Sequence, residues 1–160
     1  MQKVFIAADH AGFALKESLK PYLIAGGYSV EDIGASEFES TDDYPDYIVP
    51  CARHVADTEG AFGIVIGSSG HGEAMAANRV PGIRASVFYG PATAAVYEAE
   101  GTGGKDGCDI VRVARQHNNA NVLSLGARFI TPEQAREAVL AFLTTPFSEG
   151  ERHLRRIAKF

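Results

Sequence analysis

The sequence of 160 residues contains no tryptophan and only two cysteines, Cys51 and Cys108. Two cysteines so far apart provide neither a disulfide framework nor a paired metal-binding motif, so we expect reduced thiols in a cytoplasmic protein. The histidines give no metal signal either, because His54 and His71 have no acidic or cysteine partner at ligand spacing. We therefore predict no metal site.

Long apolar stretches are also missing from the sequence. No run approaches the roughly twenty residues that a membrane-spanning helix requires, and Lys3 leads directly into a strand-like segment instead of a signal peptide. The net charge is −5, which gives no electrostatic support for binding nucleic acid or a membrane surface. A cytoplasmic globular protein without nucleic-acid or membrane partners is the resulting expectation.

The sequence does contain a regular alternation of strand-like and helix-like segments. Short apolar runs predict buried strands at residues 4–8 and 62–66, and residues 28–34, 83–88 and 121–125 are predicted to form three further strands. The segments between them have the periodicity of helices. This pattern predicts a single α/β domain over residues 1–160, a doubly wound three-layer αβα sandwich around a five-stranded parallel sheet.

Three local features refine this arrangement. Pro21 falls inside the first predicted helix, residues 12–25, where it should kink the helix or delay its start because proline lacks an N–H group. Residues 131–134 read Thr-Pro-Glu-Gln, the spacing of a helix start with a capping box. Residues 98–113 are glycine-rich near their centre and are predicted to form an inserted flexible loop.

The glycine-rich turn after the third strand is the strongest local signal of chemistry. Residues 67–73 read Gly-Ser-Ser-Gly-His-Gly-Glu. Closely spaced glycines let backbone N–H groups approach a ligand, and the following helix adds its positive end, so an anion or a developing oxyanion would be stabilised there. Glu73 lies in the first helical turn, where the N–H groups should favour its ionised form and keep it available as a base.

The same turn has a simpler interpretation, in which the glycines only allow a tight turn and Glu73 only complements the helix dipole. Known ligand motifs do not fit it. Met75 stands where the dinucleotide fingerprint has its third glycine, and no lysine follows the last glycine as in a P-loop. Ser68 and Ser69 each lack one flanking glycine of a nucleophile elbow. The residues of the turn alone leave both interpretations open.

Two other polar groups adjoin predicted strands. Asp9 and His10 follow the first strand, and His117 and Asn118 precede the fifth. Because ligands of such sheets bind beyond the strand ends, we expect these groups to meet residues 67–73. The alternatives are a capped strand end for the first pair and an ordinary surface position for the histidine of the second.

The final predicted helix, from about residue 149, is basic. Arg152 and Arg156 are four residues apart and share one face of it. They are either a clamp for a phosphate group or solvated residues near the C-terminus of a helix.

Motifs along nearly the whole chain resemble one known family. In order they are residues 9–13 (DHAGF), 43–47 (DYPDY), 67–79 (GSSGHGEAMAANR), 82–85 (GIRA), 115–121 (RQHNNAN) and 152–153 (RH). Together they resemble the type B ribose-5-phosphate isomerases, a family that also includes galactose-6-phosphate isomerase subunits.

This resemblance implies an aldose–ketose isomerase that interconverts ribose 5-phosphate and ribulose 5-phosphate through an enediolate, with no metal or organic cofactor. It implies a homodimer, or a tetramer, whose active sites draw on both subunits and bind a small sugar phosphate. Many relatives have a catalytic cysteine where this chain has Gly67, whereas others use a glutamate at the position of Glu73. The similarity to the second group implies that Glu73 is the base.

The matching positions at the turn imply individual roles. Glu73 moves the proton and Ser69 holds or polarises the substrate. The N–H groups of Gly70, His71 and Gly72 stabilise the enediolate oxygen. Three more positions contact the substrate: Tyr44, Gly67 and Ser68.

The resemblance also implies roles for residues outside the turn. Asp9 and His117 open the furanose ring, and Asn118 orients substrate hydroxyl groups. The phosphate-side contacts are His10, Arg128, Arg152 and Arg156.

Other functions stay open at this point. The same reaction on a four-carbon sugar phosphate, or on a six-carbon one such as allose or galactose 6-phosphate, is the main alternative, because the inserted residues 98–113 adjoin His117. A non-catalytic sugar-phosphate sensor would not need Glu73 beside Ser69. A flavodoxin-like nucleotide-binding module lacks the fingerprint it would need.

Overall fold

A computed structural model describes residues 1–95 and 106–160 of the chain. The strands are β1 (Lys3–Ala8), β2 (Ser29–Gly34), β3 (Phe62–Gly67), β4 (Ala85–Phe88) and β5 (Val122–Gly126). The helices are α1 (Phe13–Ala25), α2 (Pro45–Asp57), α3 (His71–Ala77), α4 (Asp109–Asn118), α5 (Pro132–Thr144) and α6 (Glu151–Ile157). No described helix combines the length and the apolar composition that crossing a membrane requires.

The five strands form one parallel sheet in the order β2-β1-β3-β5-β4. The chain moves from β1 outwards to β2 and then continues with β3 on the other side of β1, so the strand order reverses between β1 and β3. The ends of these two strands are adjacent, because Ala8 pairs with Ile66. The predicted doubly wound αβα sandwich is confirmed, and this reversal is where such sheets bind ligands.

The strands divide the hydrophobic core into two halves, one on each face of the sheet. One half packs Ile6, Ile64 and Leu123 against α1, α4 and α5. The other half packs Phe5 and Val65 against α2 and α3. A strand covered on both faces is apolar at nearly every position, which is why continuous apolar runs predicted β1 and β3.

Two helix predictions have different outcomes. The capping box at the start of α5 is confirmed: Thr131 Oγ1 accepts the N–H of Gln134, and the Gln134 side chain accepts the N–H of Thr131. The delayed start of α1 was wrong, because α1 begins at its predicted place and continues through Pro21. Leu19 and Leu23, on either side of the proline, are buried in the core and keep this part of the chain helical.

The predicted inserted loop is partly corrected. Residues 98–105 lie outside the described residues. Residues 109–113 are not a loop, because they form the first turns of α4. Val111 belongs to the hydrophobic core and fixes this end of the helix against the sheet. The glycines just before the helix concealed its start in the sequence.

Candidate active site

The loop after β1 packs directly on the end of β3. Asp9 follows β1, and its Oδ1 accepts the N–H groups of Ala11 and Gly12 at 3.0 and 3.2 Å. Gly12 lies against the carbonyl group of Ile66, where a side chain would not fit. Asp9 is therefore buried, 6% exposed, at the carboxyl edge of the sheet.

The glycine-rich turn after β3 is held by β5. Gly70 has a φ of 80°, a left-handed conformation that favours glycine. Its carbonyl accepts a hydrogen bond of 2.6 Å from Oγ of Ser124, which is buried in β5. The N–H of Arg128 donates to the carbonyl of Ser68 at 3.2 Å, so Arg128 lies at the same edge. Ser124 was not predicted, and its polarity within an apolar strand was the available signal.

Glu73 is the third residue of α3 and is 4% exposed. Its carboxylate fills the space beside Gly67: a Cβ atom at Gly67 would overlap Oε1 of Glu73 and lie 2.9 Å from its Cγ. Oε2 is buried and has no hydrogen-bond partner among the described residues. The Glu73 carboxylate fits in this position because residue 67 has no side chain.

The pKa of Glu73 is raised above its ordinary value. Burial is the main cause, since it disfavours the charged form, and the charge of Asp9 acts in the same direction. The N–H groups of Glu73 and Gly70 oppose the shift, but they are outweighed. The expectation that the N–H groups would favour the ionised form overall was therefore wrong. A raised pKa nevertheless suits a general base, which works best when its pKa approaches the operating pH.

Aromatic rings surround the turn. Tyr44 lies against Gly72, where an added Cβ atom would be 3.0 Å from Tyr44 Oη. The ring of His71 stacks on Tyr89 with centroids 5.1 Å apart, and the N–H of His71 donates to Oγ of Ser69 at 3.4 Å. The structure thus brings the predicted contacts of the turn together. No pattern in the sequence singled out Tyr89.

His10 is bound twice to Asp42, a residue that sequence analysis missed. The backbone N–H and the ring Nδ1 of His10 lie 3.0 and 2.7 Å from Oδ1 of Asp42. The pKa of His10 is raised mainly by this hydrogen bond, although its partial burial and the charge of Arg128 oppose the shift. The acidic pair at residues 42–43, directly before Tyr44, was the only signal of this contact.

Within residues 1–95 and 106–160, one group of side chains has the proximity required of metal ligands. Potential ligand atoms of Asp9, His10 and Asp42 lie within 4.8 Å of one another. Hydrogen bonds already occupy Nδ1 of His10 and Oδ1 of both carboxylates. We therefore assign these residues to the hydrogen-bonded framework of the site, and the absence of a metal requirement stays a prediction.

The remaining predicted site residues lie at the opposite edge of the sheet. His117 and Asn118 end α4, which returns the chain to the amino end of β5. His153 of α6 stacks on His117 with centroids 4.4 Å apart, and Nε of Arg152 lies 3.2 Å from Nε2 of His153. Arg156 follows one turn later in α6.

The two groups are therefore separated within one chain. The five residues of β5 alone span about 13 Å between the edges, at about 3.3 Å per residue. The expectation that His117 and Asn118 would meet the glycine-rich turn is wrong for a single chain, because these residues precede a strand instead of following one.

The two thiols do not contribute to either group. Cys51 and Cys108 are free and buried in the core. Burial raises the pKa of both thiols, that of Cys108 to about 11, so their reactive thiolate forms are scarce at neutral pH. The glycine-rich turn itself offers a carboxylate and no thiol.

Comparison with known proteins identifies a family whose members are similar to this chain along nearly its whole length. The profile of the Ribose/Galactose Isomerase family matches residues 4–101 and 107–160. The chain is 38% identical over 155 residues to ribose-5-phosphate isomerase B of Mycobacterium tuberculosis, covering 97% of this chain and 85% of the relative. It is also 38% identical to the probable ribose-5-phosphate isomerase B of Mycoplasma genitalium, with 98% and 91% covered.

Solved structures agree with these sequence matches. The crystal structure of a ribose 5-phosphate isomerase from Thermotoga maritima is 43% identical and superposes with a TM-score of 0.83, covering 99% of this chain and 96% of the other. Ribose-5-phosphate isomerase B of Mycoplasma genitalium with bound ribulose 5-phosphate is 35% identical, with a TM-score of 0.84 and 98% and 92% covered.

Proposed function

The chain belongs to the ribose/galactose isomerase family, and we propose that it interconverts ribose 5-phosphate and ribulose 5-phosphate with Glu73 as the catalytic base. The observation that carries this proposal is the buried carboxylate of Glu73, which occupies the space beside Gly67 at the end of β3. The choice of substrate is supported by the relatives named ribose-5-phosphate isomerase B, one of which was solved with bound ribulose 5-phosphate.

The proposed reaction moves a proton between C2 and C1 of the open-chain sugar. Glu73 takes the proton from C2 of ribose 5-phosphate, and the electron pair moves through C1 to the carbonyl oxygen, which forms an enediolate. Ser69 and the N–H groups of Gly70, His71 and Gly72 stabilise the charge on this oxygen. The C2 hydroxyl proton then moves to O1, and Glu73 returns its proton to C1, which yields ribulose 5-phosphate.

The proposed chemistry needs no cofactor and suits a reducing compartment. Isomerisation leaves the substrate with no net oxidation, so it requires no nicotinamide group. Glu73 and the N–H groups of the turn provide the base and the charge stabilisation. We also place the enzyme in the cytoplasm, because both of its cysteines are free thiols.

We further propose that a second copy of the chain completes each site. Arg152 and Arg156 are exposed on α6 near His117, at the edge opposite the catalytic turn. Large apolar side chains are exposed near both edges: Met75 on α3 is 67% exposed and Phe160 after α6 is 80% exposed. Exposed apolar residues in these places favour association of subunits.

A twofold dimer brings the two groups together. In it, the carboxyl edge of one subunit faces α6 of the other, and the symmetry forms two equal sites. His10 and Arg128 of one subunit then hold the phosphate together with the partner's Arg152 and the partner's Arg156. Asp9 and the partner's His117 open the sugar ring.

A panel of aldose phosphates tests the substrate. We expect kcat/KM for ribose 5-phosphate to exceed that for erythrose 4-phosphate and for allose and galactose 6-phosphates by about tenfold or more, since one carbon group is worth about 1–3 kcal/mol in a fitted site. Unphosphorylated ribose is the control for the phosphate contacts. A higher value for another sugar phosphate would change the substrate but keep the reaction. Tight binding without turnover of any of them would indicate a sensor.

Mixed dimers test the shared site. Arg152→Ala alone should lower kcat/KM by roughly ten- to a hundredfold, because a charge-assisted hydrogen bond contributes about 1.5–3 kcal/mol. Arg155→Ala, on the same helix, is the matched control and should change kcat/KM little.

When Glu73→Gln and Arg152→Ala subunits are mixed at random, about a quarter of the wild-type activity should return, because half of the dimers have one intact site. No recovery on mixing would place Glu73 and Arg152 in the same subunit's site.

A further inference from the structure

The contact between His10 and Asp42 joins two loops of the site and takes part in no step of the proposed reaction. His10 follows β1, whereas Asp42 lies in the loop between β2 and α2. Oδ1 of Asp42 accepts hydrogen bonds from both the backbone N–H and the ring Nδ1 of His10. The Asp42 side chain is 5% exposed, whereas that of His10 is 32% exposed. A buried carboxylate therefore fixes one side of an imidazole whose other side is accessible.

The loop that carries Asp42 is itself anchored. Lys16 of α1 is fully buried, and its Nζ donates to the carbonyl of Ala35 at 2.8 Å and to Oδ2 of Asp32 at 2.5 Å. These bonds fix the beginning of the loop, and Tyr44 fixes its end against Gly72. The position of the Asp42 carboxylate is thus determined by the fold, and so is the orientation of the His10 ring.

The charges around His10 favour its protonated form. Asp42 in the loop before α2 and Asp9 at the end of β1 are two carboxylates near the ring, whereas the partial burial of the ring and the cation of Arg128 after β5 oppose them. The pKa of Tyr47 in α2 is raised mainly by burial, and the charge of Asp42 acts in the same direction, together with those of Asp46 and Glu39. With Nδ1 bound to Asp42, Nε2 is the N–H through which the ring can bind a ligand.

We propose that Asp42 is a positioning residue that holds His10 as an imidazolium ion, with Nε2 directed at the phosphate group of the substrate. This inference rests on the proposed function, because it assigns His10 to the phosphate side of that site. The phosphate dianion then meets a fixed cation at the carboxyl edge, in addition to Arg128 of the same subunit, the partner's Arg152 and the partner's Arg156. Asp42 acts only through His10 and does not touch the substrate.

The pH dependence of kcat/KM separates this role from a merely structural one. Asp42→Asn keeps the size of the side chain and an oxygen that can accept both hydrogen bonds, but it removes the charge. The fall of kcat/KM at alkaline pH, where His10 loses its proton, should then begin at a lower pH. At a fixed pH within this fall, kcat/KM should be about tenfold lower than in the wild type for each pH unit by which the profile shifts. Ionisation of the substrate phosphate is common to both proteins and cancels in the comparison. Asp43→Asn, which neutralises the adjacent and exposed carboxylate, should leave the profile in place.

An NMR titration of the histidine Cε1–H signals tests the same idea without catalysis. The His10 signal is identified by its loss in His10→Gln. Its pKa should lie above about 6.5 in the wild type and fall towards that value in Asp42→Asn. Inorganic phosphate should shift the His10 signal of the wild type and shift it less in Asp42→Asn.

The two measurements have separate outcomes. An unchanged His10 titration in Asp42→Asn, or a fall in kcat/KM that is equal at all pH values, would overturn the inference. So would a His10 signal that does not respond to phosphate. If the NMR results are as expected but ribose 5-phosphate is not turned over by the wild type, the proposed function fails while the coupling of Asp42 to His10 stands.

Discussion

Replacement of Glu73 by glutamine is expected to lower kcat by roughly a hundred- to ten-thousandfold and to leave KM near its wild-type value. Glutamine has the length and shape of glutamate, so it still fits beside Gly67, but it cannot accept a proton from C2. Steady-state kinetics with ribose 5-phosphate measure the loss. Incorporation of solvent deuterium at the reacting carbon isolates the proton transfer, and it should stop in the variant.

Two controls accompany this variant. Glu39→Gln, at an exposed position in the loop before α2, should keep the wild-type kcat.

The fold of Glu73→Gln can be followed by its free energy of unfolding at several pH values. Because the folded protein raises the pKa of Glu73, the stability associated with its neutral form is present below about pH 4 and is lost as the pH rises through the raised pKa. As the pH rises from about 4 to above the raised pKa of Glu73, the free energy of unfolding of the wild type should therefore decrease relative to that of Glu73→Gln. Deuterium exchange at the wild-type rate in Glu73→Gln would instead make Asp9 the next candidate base.

The sequence was sufficient to predict features that depend on neighbouring residues in the chain. Parallel strands covered on both faces require continuous apolar runs, and such runs located the central strands β1 and β3. The capping box of α5 requires only the side chains of Thr131 and Gln134. The turn after β3 could likewise be predicted, because its glycines and Glu73 lie within seven residues of one another.

Features that depend on the order of strands could not be predicted in the same way. His117 and Asn118 adjoin a strand in the sequence, but only the path of α4 decides at which edge of the sheet they lie. The direction of the pKa shift at Glu73 depends on burial, which the helix start alone does not reveal. Asp42 reaches His10 across 32 residues of sequence, so no local pattern identified it as a site residue.

Replacement of Gly67 by alanine is expected to lower kcat by about a hundredfold or more while the protein still folds. The added methyl group would overlap Oε1 of Glu73 and approach its Cγ. These atoms belong to the outer part of a flexible side chain, so Glu73 can move aside at moderate cost, whereas the backbone of β3 stays paired to Gly126. A displacement of about 1 Å from the productive geometry is enough to cost about a hundredfold in rate. The measurement is kcat for ribose 5-phosphate, alongside the thermal unfolding curve.

Gly63→Ala is the matched control for the added methyl group, because Gly63 lies in the same strand, four residues earlier. There the new Cβ atom would lie 3.0 Å from side-chain carbons of Val122 and Val55, so the variant should lose stability and keep its kcat.

A double-mutant cycle identifies the group that Gly67→Ala displaces. In a Glu73→Ala background the overlap no longer exists, so Gly67→Ala should then destabilise the protein less than it does in the wild type. Equal destabilisation in both backgrounds, or a Gly67→Ala enzyme with the wild-type kcat, would show that the space beside Gly67 is not where the base acts.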